Sequence, residues 1–227
     1  MRYLLSPEEI ATLSAEEINK LLAAAFSFDS FRWQQENHVR IAEDFRADDL
    51  NRVLYKCPHC MAEGRMHGEG TTLSCRACGK SYELDEYGYL RALTGETEFA
   101  HVPDWYHWQR ECVRAELADG SYRMDLDVDL YLLINTKCLY HVGEGRLIHT
   151  VDGFSLTGCD GQLDYHQSAI ASYGLNCDYY WYEIGDVICI GDRGTQYYCF
   201  PRNARDVVTK ARFAAEESYK IHKSLKA

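Results

Sequence analysis

Two CxxC pairs carry the chemistry this chain is best equipped to do. Tyr55-Lys56-Cys57-Pro58-His59-Cys60 is answered by Ser74-Cys75-Arg76-Ala77-Cys78-Gly79, with the fourteen residues 61–74 between the pairs. Four thiolates are the donor set of a tetrahedral structural zinc site, and each CxxC turn presents two of them side by side. The intervening segment is long enough for a hairpin that brings the turns face to face, just under the usual spacing of about 15–20 residues. The pattern predicts one zinc ion per chain, held by Cys57, Cys60, Cys75 and Cys78.

A redox site is the competing reading. Cys-Pro-His-Cys is also the active-site sequence of strongly oxidising thioredoxin-fold enzymes, in which a low-pKa thiolate opens a helix. That chemistry needs one pair on a βαβ unit. It explains neither the second pair nor Gly79, and Gly64, Gly68 and Gly70 cut the stretch after Cys60 into short segments. His59, inside the first turn, and His67, near the hairpin tip, are surplus to a filled site and are expected at the surface. Between Lys56 and Lys80 the charged side chains are Lys56, Arg65, Arg76 and Lys80 against Glu63 and Glu69. Four thiolates on a divalent ion add two negative charges, so the module is close to neutral. Such a ribbon is a folding staple or a docking surface, because a small hairpin lacks the core to fold alone and a metal supplies the missing energy.

No other catalytic pattern stands out. GxSxG, P-loop and HExxH sequences are absent. His101 with Cys112, His149 with Asp152 and His166 with Asp164 form pairs on paper, but nine histidines in 227 residues make chance pairings common. The net charge of −11, from 35 acidic against 24 basic residues, disfavours nonspecific nucleic-acid binding and attraction to anionic lipid. A composition of 46% hydrophobic residues with four prolines describes a globular chain. Cys112, Cys138, Cys159, Cys177, Cys189 and Cys199 have no paired spacing and read as reduced, mostly buried thiols of a cytoplasmic protein. The opening Met1-Arg2-Tyr3-Leu4-Leu5 lacks a leader pattern, and no apolar run approaches the roughly twenty residues that span a bilayer.

Around the cysteines the chain divides into 1–52, 53–93, 94–120 and 121–227. Ser6-Pro7-Glu8-Glu9 and Ser14-Ala15-Glu16-Glu17 are helix starts, the second a capping box opening a helix with Ile18, Leu21, Leu22, Ala25 and Phe26 on one stripe. Phe28–Gln35 is aromatic and reads as helical, so 1–52 is a helical arm whose apolar faces need a partner. After the ribbon, Tyr82–Leu93 reads as one or two strands turning at Gly88. A linker helix runs from about Pro103 to Leu117, with Trp105, Trp108, Cys112 and Ala115 on one side and Tyr106, Val113 and Leu117 on the next row. From Tyr122 to Ile134 the period becomes two, and turn signals then delimit strands at 138–142, 146–151, 154–158, 162–166, 174–183, 187–191 and 195–200. A closing helix is expected after Asn203 as cap, with Val207, Val208, Ala211, Ala215 and Ser218 as its packing stripe. The fold class is α+β: a helical arm, a four-cysteine zinc ribbon, a linker helix, and an antiparallel β-barrel closed by a C-terminal helix.

Two resemblances add to this. About seven short strands followed by one helix, with Gly145–Phe154 turning through Asp-Gly, resemble the pleckstrin-homology or GRAM-like barrel. Lipid-binding members present a basic mouth, whereas 122–202 holds Arg123, Lys137, Arg146, Arg193 and Arg202 against eleven acids, so phosphoinositide binding is not expected. The segments Phe31–Gln34, Tyr55–Cys60, Gly95–Phe99, Val102–Tyr106 and Asp206–Phe213 resemble the zinc-ribbon region that follows the catalytic domain in bacterial 1-acylglycerol-3-phosphate-type acyltransferases. Those enzymes use a histidine with an aspartate five positions later, and none of the nine histidines here has that spacing. The resemblance therefore implies the accessory part without the catalytic part: a non-catalytic module that docks on an acyltransferase or another lipid-synthesis protein. The rivals are an acyltransferase with an unrecognised site and a zinc-ribbon nucleic-acid binder.

Overall fold

The computed structural model describes residues 3–134 and 137–225; Met1 and Arg2, quoted above for the chain's opening, lie outside them. Three short helices come first, α1 (Pro7–Thr12), α2 (Ala15–Phe26) and α3 (Ser30–Glu36). Ser14 completes the expected capping box with Glu17, and Ser6, expected as a helix start, forms one with Glu9 as well. α1 and α2 bury no residue. α3 is tied down: Gln34 Nε2 donates to Glu86 O and Gln35 Nε2 to Gly88 O, and Asp29 Oδ2 meets His101 Nε2 at 2.7 Å.

Four strands form the ribbon sheet, β1 (Met66–Glu69), β2 (Thr72–Cys75), β3 (Ser81–Leu84) and β4 (Leu90–Ala92), paired antiparallel in chain order. They are too short to enclose a core by themselves. Leu54, Leu73, Tyr82 and Leu90 are completed by Val102 and Trp105 of α4 (Val102–Ala118).

The second sheet has seven antiparallel strands, β5 (Met124–Ile134), β6 (Cys138–Thr150), β7 (Gly153–Gly158), β8 (Leu163–Ser168), β9 (Asn176–Trp181), β10 (Gly185–Gly191) and β11 (Gln196–Pro201). Their spatial order is 8-7-6-5-11-10-9, so the first and last strands in sequence lie side by side in the middle. Met124, Leu126, Val128 and Leu130 of β5 face the core, while Asp125 faces out and takes two hydrogen bonds from Arg146. Each such apolar side chain contributes about 1.5–3 kcal/mol on burial. The core-facing side is covered by α5 (Val208–Ser224), whose Ala211, Ala214 and Ala215 permit close approach and whose Phe213 is fully buried.

Three details of the seven-stranded sheet and its closing helix depart from the sequence expectations. β8 and β9 are free edges with no strand pairing between them among the described residues, so backbone hydrogen bonds do not close the sheet into a ring. Side chains of β8 reach the β10–β11 pair instead: Gln167 Oε1 accepts from Gly191 N–H at 2.9 Å, and Tyr165 packs on Tyr197. Gly143-Glu144-Gly145, expected as a turn, lies inside the single long strand β6; Gly143 takes φ 149° beside a register shift at Leu130/Tyr131, a β-bulge that only glycine accommodates easily. Asn203 does not cap α5: its Oδ1 accepts from Asp127 N–H, Asp206 takes φ 55°, and the helix starts at Val208.

α4 belongs to both cores. Its buried row is Val102, Trp105, Gln109, Val113 and Leu117, the first two against the ribbon and the last two against the seven-stranded sheet. Ala115, expected on the buried side, is exposed. The stripe is displaced because a glutamine occupies its centre, where hydrophobicity alone gives no signal. Two charge networks join the parts. Lys56 and Lys210 bridge Glu63 and Glu116 at 2.8–3.2 Å, linking the ribbon to α4 and α5. Arg110 and Arg114 hold Glu217 between α4 and α5. Burial alone would raise the Glu217 pKa, but hydrogen bonds from Arg114, Lys220 and Arg110 outweigh it and hold the carboxyl down to about 2.

Candidate metal centre

Cys57 and Cys60 lie on one knuckle, Cys75 and Cys78 on another, and the β1–β2 hairpin sets them face to face. The knuckles repeat one hydrogen-bond scheme. Cys57 N–H donates to Ala62 O and Met61 N–H to Cys57 O; Cys75 N–H donates to Lys80 O and Gly79 N–H to Cys75 O. In each, the residue after the second cysteine takes a left-handed backbone, Met61 at φ 65° and Gly79 at φ 78°. Register Met66↔Cys75 and the bond from Arg76 N–H to Arg65 O lock the second knuckle beside the first.

The four sulfurs lie within 4.8 Å of one another. Cys57 and Cys78 are 3.8 Å apart and Cys60 and Cys75 3.7 Å. A disulfide needs about 2.05 Å, and all four are free thiols. Ligands about 2.3 Å from a tetrahedral ion are separated by about 3.8 Å along each edge, so the donor set and its spacing suit one tetrathiolate-bound metal ion. Cys57 and Cys75 are buried, whereas Cys60 and Cys78 are exposed. Burial pushes the Cys57 thiol up; at Cys60 burial acts in the same sense, but donation from Ala62 N–H and the neighbouring thiols outweighs it and draws the thiol down.

The thioredoxin-like alternative fails on local geometry. Cys57 opens a turn followed by β1, not a helix, and a second pair of thiols faces it.

A supporting shell holds the first knuckle from behind. Gln109, fully buried, accepts from Lys56 N–H through Oε1 and donates to Val53 O through Nε2. Trp105 Nε1 donates to Lys56 O at 2.9 Å, and its ring packs on Tyr82 and Phe99. Glu98 gathers Tyr82 Oη at 2.7 Å, His59 Nδ1 at 3.1 Å and Lys80 Nζ at 3.6 Å. His59 is thus engaged by a carboxylate, and His67 pairs with Glu69; neither joins the sulfur cluster. Gln109 carried no signal in the sequence, and Glu98 only that of lying in the Gly95–Phe99 segment, with no role attached; those roles are set by a helix and a loop that pack against the knuckle from outside the motif.

The histidine pairs drawn from sequence do not assemble a catalytic centre. His101 meets Asp29 and Gln35 and fastens α3 to the start of α4. His149 is buried, bonded to Tyr122 Oη at 2.9 Å and stacked on Phe154, and burial lowers its pKa to about 3. It is a neutral core histidine. His166 does lie between Ser155 (2.9 Å) and Asp164 (3.2 Å), but on an exposed sheet face with His166 and Asp164 68% and 71% exposed. A triad needs an orienting carboxylate shielded from water and donors for an oxyanion, and no cleft among the described residues provides either beside this group.

No helix among the described residues is long and apolar enough to cross a membrane. No family model matches the chain, and neither the curated proteins nor the solved structures contain a match.

Proposed function

We propose that this chain is a zinc-stapled, non-catalytic docking module, and that its partner is a phospholipid acyltransferase of the 1-acylglycerol-3-phosphate type. The observation that carries the staple is the tetrathiolate geometry of Cys57, Cys60, Cys75 and Cys78. Soft sulfur ligands in tetrahedral array favour zinc among the common divalent ions. Zinc supplies charge neutralisation and cross-linking there, and the chain's own groups do the rest: Trp105 and Gln109 fix the knuckle, and Glu98 orders the loop beside it.

Docking is supported by the arm. Leu21, Leu22, Phe26, Phe28 and Trp33 are exposed on α2, α3 and their connection, 81% in the case of Phe26. The strand order 8-7-6-5-11-10-9 with one C-terminal helix across the core-facing side supports a partly open pleckstrin-homology or GRAM-like barrel as the platform. The acyltransferase as partner rests on the sequence segments quoted above. A bacterial, cytoplasmic protein, peripheral to the inner membrane only through that partner, is the setting this implies.

Two measurements test the reading. Metal analysis of protein purified without chelator should give one zinc per chain; no metal, or iron in its place, overturns the staple. Removing residues 1–28, among which no described residue is buried, should leave the fold intact and abolish co-purification with the acyltransferase. Acyl transfer from acyl-CoA to lysophosphatidate by the chain alone, abolished by changing a single histidine, overturns the non-catalytic reading.

A further inference from the structure

The arginines of this acidic chain are unevenly satisfied. Arg40, Arg91, Arg110, Arg114 and Arg146 each meet a carboxylate. Arg65, Arg76 and Arg205 have none within 4.0 Å and make no side-chain hydrogen bond among the described residues, although acids outnumber bases 35 to 24. They come from β1's approach, the second knuckle and the β11–α5 loop, yet all three line one cleft of about 720 Å³ between the ribbon and the seven-stranded sheet.

None of the acids in that cleft forms an ion pair with them, although Asp206 lies close enough to Arg205 to feel its charge. Asp49 and Asp186 pair with Arg52, and Asp186 also accepts from Val207 N–H. Both oxygens of Asp206 accept from Asn51 Nδ2 at 3.0 Å. The walls are held in contact where an added Cβ on Gly64, at φ 61°, would lie 3.2 Å from Arg205 O, and a second cleft of about 510 Å³ continues past that contact, again lined by Arg65 and Arg205. Tyr180 and Ile184, 51% and 48% exposed, lie beside the arginines; the Arg52 guanidinium stands over the Tyr180 ring, 4.6 Å from its centroid, and what remains exposed of Tyr180 and Ile184 is the apolar part of the lining.

We infer that this cleft binds a small soluble phosphate ester, its phosphate held by Arg65, Arg76 and Arg205 and its organic part against Tyr180 and Ile184. Guanidinium groups match phosphate oxygens bidentately, and a cleft of this size suits a ligand of nucleotide dimensions. Positive charge assembled from distant parts of the chain and left unpaired beside many available acids is the arrangement that an anionic ligand selects. This inference does not depend on the docking reading.

Calorimetric titration of the metal-loaded full chain with AMP, and separately with inorganic pyrophosphate, tests it. Saturable, salt-sensitive binding of AMP is expected, weakened about 10- to 100-fold by Arg205→Ala or Arg65→Ala. Arg193→Ala, at an exposed arginine in the β10–β11 turn away from the cleft, should leave it unchanged. Arg65 and Arg205 are exposed, and unchanged circular dichroism checks that their variants fold. Binding of pyrophosphate but not AMP removes the role given to Tyr180 and Ile184 and overturns the ester assignment. Absence of binding at millimolar ligand, equal weakening by Arg193→Ala, or binding only to phosphatidate-containing vesicles overturns the site.

Discussion

The ribbon and the seven-stranded sheet solve the same problem with different means. The ribbon core counts twelve buried residues, two of them Cys57 and Cys75 of the cysteine cluster, around strands of three or four residues. The sheet core counts eighteen, with no cluster of metal-ligating groups beside it among the described residues. The sheet's core draws on its own strands and α5, with Tyr55 of the ribbon segment and Val113 and Leu117 of α4 added to it. Four short strands enclose little core of their own; α4 packs against one end of them, and at the other stands the four-cysteine cluster, which could hold a metal ion. The two regions are therefore unequal partners, joined by α4 and by the Lys56–Glu63–Lys210 and Arg52–Asp186 contacts.

Three perturbations probe that inequality, in decreasing order of effect. Cys75→Ser removes one ligand from a site of a kind worth on the order of 10–16 kcal/mol in small zinc peptides. Hydrogen exchange should show protection lost across β1–β4 and retained across β5–β11; loss in both regions would mean that the sheet depends on the ribbon. Trp105→Ala leaves a cavity where α4 meets the ribbon and releases Lys56 O. It should cost about 3–5 kcal/mol in chemical denaturation, with the ribbon melting first. A change below about 1 kcal/mol would show that α4 does not hold the knuckle.

The smallest effect belongs to the sheet alone. His149 has its pKa lowered by burial from 6.5 to about 3. The folded state therefore resists the proton that the unfolded chain accepts below pH 6.5, and stability is lost as pH falls from that value toward 3. Between pH 7 and pH 5 the loss is about 2 kcal/mol. His149→Phe should keep the stacking on Phe154, leave Tyr122 Oη without a partner at a cost of about 1–3 kcal/mol, and flatten that part of the pH profile. A profile as steep as the parent's would assign the acid sensitivity elsewhere.

What could be read in the sequence and what could not divides by distance along the chain. The cysteine cluster is written in two four-residue motifs, and the first half of β5 in an alternation from Tyr122 to Leu130, so both are legible; beyond Leu130 the residues turn continuously apolar and the burial alternation ends at the bulge. The helix starts at Ser6 and Ser14 span three residues and are legible for the same reason. Gly143 was misleading because a glycine at a bulge and a glycine at a turn look alike until the partner strand is known. Gln109 was invisible because burial of a polar side chain depends on donors and acceptors some fifty residues away, at Val53 and Lys56. The convergence of Arg65, Arg76 and Arg205 belongs to tertiary structure altogether: counting charges within either region hides a patch made from both.

The pairing of β5 with β11 also has a consequence in time. The sixty-one residues 135–195 must be made after Ile134 before Gln196 exists to pair with the open side of β5. At a synthesis rate of about 5–20 residues per second that is about 3–12 s. The ribbon waits less, since Trp105 follows Cys78 by twenty-seven residues. During that interval the nascent chain carries a finished ribbon and a strand with one bare edge and its apolar side uncovered, which is the period in which it is most exposed to pairing with the wrong strand. Outward-facing Asp125, Asp127 and Asp129 lie along that strand, and their like charge sets two such nascent edges against each other until β11 arrives.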